Sequence, residues 1–376
     1  MKWQLSPRQK YPKNWMNKYS HGGNIRKILE DYRFNPEKTE IIDFSVNLNP
    51  LGLSKKVKSS ILNNINSVLH YPDVFYKKLK EKIAGYSGIK YENILAGNGS
   101  IEFIYLIPGV LSVKKALIPI PTFSEYESAV KITGAKLLFI KTIEKENFRI
   151  DIDKIVKNIH QVDIVFLCNP NNPTGYLIPY DEIKFLIEKC EKKGVFLFID
   201  ETFIEFTDKY PESSAVKEAR NRKNLLVLRS LTKFFSIPGL RIGYIAGNKN
   251  LIQKINKFQP PWSVNSIGSE VAKNILEDYE YIKRSKIYIK KERERFLNEL
   301  TKIGFIKPFN TSANFVLCKL DNKLTSSELF DKLVKKGIII RDCSNFRGLN
   351  NKFIRLAIRR REENDKLIKI LMSLRA

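Results

Sequence analysis

The stretch LRSLTKFFSIPGLRIGY, Leu228–Tyr244, places one lysine, Lys233, where an apolar run gives out among hydroxyls and aromatics. Strand ends in open α/β sheets are where ligands bind. A partly desolvated lysine there is the usual route to a nucleophilic amine. With 66 Lys and Arg in the chain, a solvated surface lysine is the ordinary alternative, so the neighbours decide. Outward from this stretch, DIVFLCNP (163–170), GVFLFIDE (194–201), NLLVLRS (224–230) and LRIGYIAG (240–247) read as buried strands. Between the first two, YDEIKFLIEKCEKKG (180–194) has apolar residues at helical spacing and stops on Gly194. This alternation predicts a mostly parallel sheet covered on both faces. From about Ser266 the texture changes. A charged amphipathic segment (269–303) precedes the strands NFVLCKL (314–320) and GIIIRDC (337–343), the helix SSELFDKLVKKG between them, FIRLAIR (353–359) and a last helix. The expectation is a large α/β domain over 46–265 and a smaller α+β domain over 266–376, joined by residues 1–45.

Bulk properties exclude several classes. At 376 residues and 43% hydrophobic the chain is long enough for one large core and a smaller one. No apolar run is long enough to span a bilayer, and the basic, aromatic N-terminus lacks the apolar centre of a signal peptide. The four cysteines (Cys168, Cys190, Cys318, Cys343) are far apart and read as reduced thiols, which fits a cytoplasmic protein. Three histidines (His21, His70, His160) argue against a multi-histidine metal centre. A net charge of +26 raises nucleic-acid binding as a reading. Against it, the basic residues are spread along the chain among glutamates, and no nucleic-acid-binding signature is present. Neither nucleic acid nor membrane is expected as a partner, and the charge suits anionic small molecules.

Four features stand at the expected strand ends. AGNGS (96–100) precedes a helical run, and its backbone N–H groups suit an anion. CNPNNPTG (168–175) follows a strand, although Asn-Pro turns are common by themselves. Asp200 ends a very apolar run, where a carboxylate is expensive to desolvate without a cation. Ser230, Thr232 and Arg241 flank Lys233 with two hydroxyls and a guanidinium, which suits a phosphate. A phosphate cradle, a buried carboxylate, an amide-bearing turn and a lysine nucleophile together are what pyridoxal phosphate needs.

In this order, NNPTG, DE, SLTK and GLRIGY resemble the fold-type I, aspartate-aminotransferase-like pyridoxal-phosphate enzymes, over nearly the whole chain. The resemblance implies that Lys233 is the Schiff-base lysine, Asp200 the partner of the pyridine nitrogen, and Asn172 the donor to the ring's phenolic oxygen. It implies a cofactor-phosphate site of Ser230, Thr232, Arg241, Gly99 and Ser100, and ring stacking by Phe123. Tyr71, in HYPD, resembles the tyrosine that reaches the cofactor phosphate of a neighbouring subunit, which implies a homodimer. Phe203, in DETFIEF, stands where the family's aminotransferases usually carry tyrosine.

HGGNIR (21–26), DFSVNLNPLG (43–52), PPWSVN (260–265) and IRDCSNFRGL (340–349) narrow the resemblance to the threonine-phosphate decarboxylases of cobamide biosynthesis, which are close to the histidinol-phosphate aminotransferases. Residues 1–20 carry no part of it. The substrate implied is a phosphorylated amino acid, L-threonine O-3-phosphate or L-serine O-phosphate, held by His21, Asn49, Asn172, Arg341 and Arg355. Its anionic handles would set which bond at Cα stands perpendicular to the ring and is broken. A histidinol-phosphate-type aminotransferase stays open as an alternative, and a basic nucleic-acid-binding protein on the same scaffold as a remote one.

Overall fold

The computed structural model describes residues 22–34, 40–321 and 323–374. A seven-stranded sheet forms the centre, in the order Ile94–Asn98, Ile242–Gly247, Leu225–Ser230, Phe196–Asp200, Ile164–Cys168, Lys115–Ile120 and Lys136–Lys141. All its pairings are parallel except the two made by Ile242–Gly247. Successive side chains of a strand face opposite ways, and this sheet is apolar on both sides. Leu225, Val227, Leu197, Ile199, Val165 and Leu167 enter one core. Leu226, Leu228, Phe198, Ile164 and Phe166 enter another on the opposite face. The fold is α/β, with helices covering a mostly parallel sheet.

The helix Tyr180–Lys193 buries Ile183, Leu186, Ile187 and Cys190 on one stripe and ends on Gly194 at φ 69°. Glycine occupies that left-handed position without the penalty a Cβ brings. The helix Ser326–Val334 starts with a capping box between Thr325 and Glu328.

A four-stranded sheet follows, in the order Arg341–Asp342, Phe353–Ala357, Phe315–Leu320, Ile306–Pro308. Two expected elements differ from the structure. The amphipathic segment near 269–303 is two helices, Ser266–Ile275 and Tyr279–Thr301, the second capped by Asp278. GIIIRDC is two short strands in different sheets. Ile338–Ile339 pairs in parallel with Ile42–Asp43, while Arg341–Asp342 pairs antiparallel with Ile354 and Arg355. A run of three isoleucines carries no period that marks the change of partner.

Candidate active site

The alternation that fills two cores also sorts the strand ends. Cys168 and Asp200 continue the phase of Phe166 and Phe198, and Ser230 that of Leu228, so all three end on one face of the sheet. Beyond them lies a cavity of about 240 Å³ lined by Lys233, Asp200, Asn172, Phe123, Arg341 and Arg355, among others. Ser100 also lines it. The topology thus brings to one pocket residues from Ser100 to Arg355 that lie far apart in the sequence.

Lys233 belongs to the short helix Leu231–Phe234 directly after the strand Leu225–Ser230. Among the described residues its amine has no hydrogen-bond or ion-pair partner. Burial first, then the charges of Arg355 and Arg241, bring it down to about 8 from an ordinary 10.5. Such an amine is nucleophilic near neutral pH and can carry a proton both ways.

Asp200 is buried, and desolvation raises its carboxyl above the ordinary range. Its Oδ1 accepts from the Thr202 N–H at 2.8 Å and its Oδ2 from the Tyr126 hydroxyl at 2.7 Å. Neither donor is a cation, so a buried carboxylate here has room for a positively charged partner. Tyr126 stacks on Phe166 and meets Phe123 edge-on. Its spacing from Phe123, three residues apart around the start of the helix Glu125–Ile132, puts both rings on one side, and this signal in PTFSEY points to Tyr126 as readily as to Phe123.

Gly97–Gly99 and Ser230 meet the two sides of one point on the strand that Arg241 leads into, since Gly97 and Ser230 both pair with Gly243. Gly99 has φ +76°, and a Cβ on it would lie 2.6 Å from Arg241 Nη2. Only glycine leaves that guanidinium its place beside the N-terminus of the helix Ser100–Val110. Ser230 Oγ and Thr232 Oγ1 are 2.8 Å apart. This corner offers backbone N–H groups, two hydroxyls and a guanidinium, and it fits a phosphate. With the depressed lysine and the cation-free Asp200, the residues present fit pyridoxal phosphate.

The cavity also has a cationic wall. Arg341 and Arg355 are directly opposed across an antiparallel pair, and both are buried. Like charges placed so are destabilising. Arg355 donates to Asn172 Oδ1 at 2.5 Å and to the Ser45 carbonyl at 2.7 Å, and its guanidinium lies over Phe315. No carboxylate of the described residues reaches Arg355 within ion-pair distance, and burial brings it down to about 10. Arg341 donates to Asn345 Oδ1 at 2.8 Å and lies over Phe346. An anion between the two guanidiniums relieves the repulsion. Phe203 lines the same wall and packs edge-on against Phe315.

Of three further expected residues, one stands behind the cavity, one at the surface and one outside the described residues. Asn49 does not line the cavity. Its amide donates to the Phe234 carbonyl and to Ser285 Oγ and its oxygen accepts from the Leu51 N–H, so it supports the chain behind Lys233. Asn47, two residues earlier in DFSVNLN, lines the cavity and has a buried Oδ1 without a partner among the described residues. Tyr71 is 80% exposed, away from the cavity and against Trp262. His21 lies outside the described residues. Its neighbour Gly22 lines the cavity so closely that a Cβ would sit 2.3 Å from the Ser45 carbonyl oxygen that Arg355 bonds.

Residues 39–371 match the family described as aminotransferase class I and II. A Caldanaerobacter subterraneus subsp. tengcongensis protein named "Putative threonine-phosphate decarboxylase" is 42% identical, with 96% of this chain and 95% of that one covered. The threonine-phosphate decarboxylase of Salmonella typhimurium is 31% identical, with 94% and 95% covered. The crystal structure of the histidinol-phosphate aminotransferase from Clostridium acetobutylicum superposes with a TM-score of 0.84 at 41% identity, covering 89% of this chain and 99% of that one.

Proposed function

Because the chain belongs to the class I and II aminotransferase family, we propose that it is a pyridoxal-phosphate-dependent carboxy-lyase. It takes CO2 from L-threonine O-3-phosphate and leaves (R)-1-aminopropan-2-ol O-phosphate, the linker of the cobamide nucleotide loop. L-serine O-phosphate, giving ethanolamine phosphate, is the second substrate of the same kind, since one methyl is worth only about 1–3 kcal/mol of discrimination. The observation that carries the reading is the buried cross-strand pair Arg341 and Arg355, which lines the same cavity as the lysine and suits a substrate with two anionic groups.

When bound, pyridoxal phosphate supplies an electron sink for the carbanion left at Cα. Gly99, Ser100, Ser230, Thr232 and Arg241 would hold its phosphate, Phe123 its ring face, Asn172 its phenolic oxygen and Asp200 its ring nitrogen. Arg341 and Arg355, with Asn47, grip the substrate's anions and so orient the carboxylate that leaves. Lys233 Nζ returns a proton to Cα, a task for which an amine near 8 suits neutral pH. Phe203 brings no phenol to the site, which distinguishes it from a site built for transamination.

The same family membership supports further parts of the reading. The chain acts as a homodimer in which Tyr71 reaches the neighbouring site. The exposed apolar residues Leu62, Val68, Leu69, Tyr71 and Phe75 support this, because such a surface favours a partner. No helix of the described residues is long and apolar enough to cross a membrane, and the described cysteines are free. We place the enzyme in the cytoplasm. The division into 46–265 and 266–376, with 1–45 joining the latter, is supported by the pairing of Ile42–Asp43 with Ile338–Ile339.

A histidinol-phosphate-type aminotransferase is the second reading, favoured by the Clostridium acetobutylicum relative. Product analysis separates the two. Incubation with threonine phosphate and no keto acid should yield aminopropanol phosphate. Rapid turnover of histidinol phosphate with 2-oxoglutarate, with no product from either phosphoamino acid, would assign the aminotransferase instead.

A further inference from the structure

The segment that carries Arg341 continues into a contact outside the pocket. Asn345 accepts from Arg341, and Phe346 lies under its guanidinium at 5.1 Å. The next residue, Arg347, turns to the opposite wall. Its Nε and Nη2 donate to Glu127 Oε2 and Oε1, both at 2.8 Å, and its guanidinium lies 4.6 Å from the centre of the Phe139 ring. Glu127 stands four residues after Phe123 on the helix Glu125–Ile132, and Lys131 pairs with it at 2.6 Å. One bidentate ion pair therefore ties the wall bearing the stacking aromatic Phe123 to the wall bearing Arg341. An adjoining cavity of about 530 Å³ opens onto the pair and shares Phe123, Ser124 and Phe346 with the substrate pocket. The pair thus stands beside open space, braced by Phe139 under the guanidinium and Lys131 on the carboxylate.

We propose that Glu127 and Arg347 are positioning residues that hold the Arg341–Phe346 segment over the pocket and thereby set the grip on the substrate's phosphate. The inference rests on the reading of Arg341 as a substrate residue. A two-pronged Arg–carboxylate contact fixes direction as well as distance. A pair open to solvent on its arginine side adds little to stability, so its effect should be on the site it orients.

The test is a double-mutant cycle on the holoenzyme with Glu127→Gln, Arg347→Gln and both. Two readouts are used: KM for threonine phosphate, and calorimetric binding of 1-aminopropan-2-ol O-phosphate. Each single substitution should weaken both by roughly 5- to 30-fold, with kcat changed less, and the double should be no worse than either single. Arg347→Lys, which keeps the charge and loses the fork, should recover only part. Melting temperatures should stay within about 2 °C of wild type. Unchanged affinity in both singles, losses that multiply in the double, or an effect confined to kcat would overturn the proposal. If wild type uses histidinol phosphate instead, the decarboxylase reading fails by itself. The cycle is then read as KM for that phosphate, where an unchanged KM equally overturns the clamp.

Discussion

Lys233 is a cation taken out of water beside two guanidiniums, and this has a consequence that does not depend on turnover. Its pKa is about 8 in the fold and near 10.5 when unfolded. Between those values the unfolded chain binds more protons than the folded one, so stability rises with pH across that window. Cofactor-free wild type should therefore gain stability from pH 8 towards 10.5 relative to Lys233→Met, by up to about 1.4 kcal/mol per pH unit. Denaturant midpoints of the two proteins across that range check this, and parallel profiles would contradict it. Lys233→Ala should also abolish the borohydride-reducible visible chromophore of the holoenzyme. Asp200 differs, because among the described residues its carboxylate meets neutral donors of Thr202 and Tyr126 and no cation. Asp200→Asn should keep bound cofactor and fold, yet lose about 3–4 kcal/mol of catalysis, the scale of removing one preorganised electrostatic group. Near-native turnover would refute the role given to that carboxylate. At this scale Asp200 is legible in the sequence because it ends an apolar strand run, and Lys233 because it follows one among hydroxyls and aromatics. Asn47 and Asn49 are not distinguishable there. Both are asparagines in one extended run, and only the Phe234 carbonyl and Ser285, far away in sequence, claim the second one.

Strand phase governs the next scale up. Glu201 follows Asp200 and Arg229 precedes Ser230, so both turn to the face opposite the pocket. There Arg229, 0% exposed, donates to Glu205 at 2.6 Å, to Glu201 at 3.3 Å, and to Ser214 and Tyr210. Arg229→Met would strand two buried carboxylates. It should lower stability by about 3–5 kcal/mol, measured by denaturant unfolding. A loss below about 1 kcal/mol would show that the carboxylates find other partners. At the adjacent turn, Gly99→Ala would force a side chain against Arg241 at a positive φ. Cofactor affinity should fall there while the circular-dichroism spectrum is kept. The helix Tyr180–Lys193 and the strands around Lys233 are readable from period and punctuation. The division of GIIIRDC between two sheets is not, because its partners, Ile42–Asp43 and Phe353–Ala357, are set by tertiary pairing and leave no local mark. The strands Lys115–Ile120 and Lys136–Lys141 lie outside the sequence expectations. The second is only partly buried, at the sheet's edge, where the apolar signal is weakest.

Across the whole molecule, the net charge of +26 and the cationic pocket point the same way, towards small anions. The exposed apolar residues between Leu62 and Phe75 should be covered by a second copy. Sedimentation should give twice the mass of the chain, and Leu69→Lys should shift it towards the monomer and lower activity together, since Tyr71 is then withdrawn from the neighbouring site. The central claim is that the pocket lined by Lys233, Arg341 and Arg355 breaks the bond to the carboxylate and not the one to hydrogen. The most direct measurement is release of labelled CO2 from carboxyl-labelled threonine phosphate by the holoenzyme, with and without 2-oxoglutarate. The account predicts one CO2 for each aminopropanol phosphate formed, at a rate the keto acid leaves unchanged. Label retained in the amino acid while 2-oxoglutarate is converted to glutamate would contradict it.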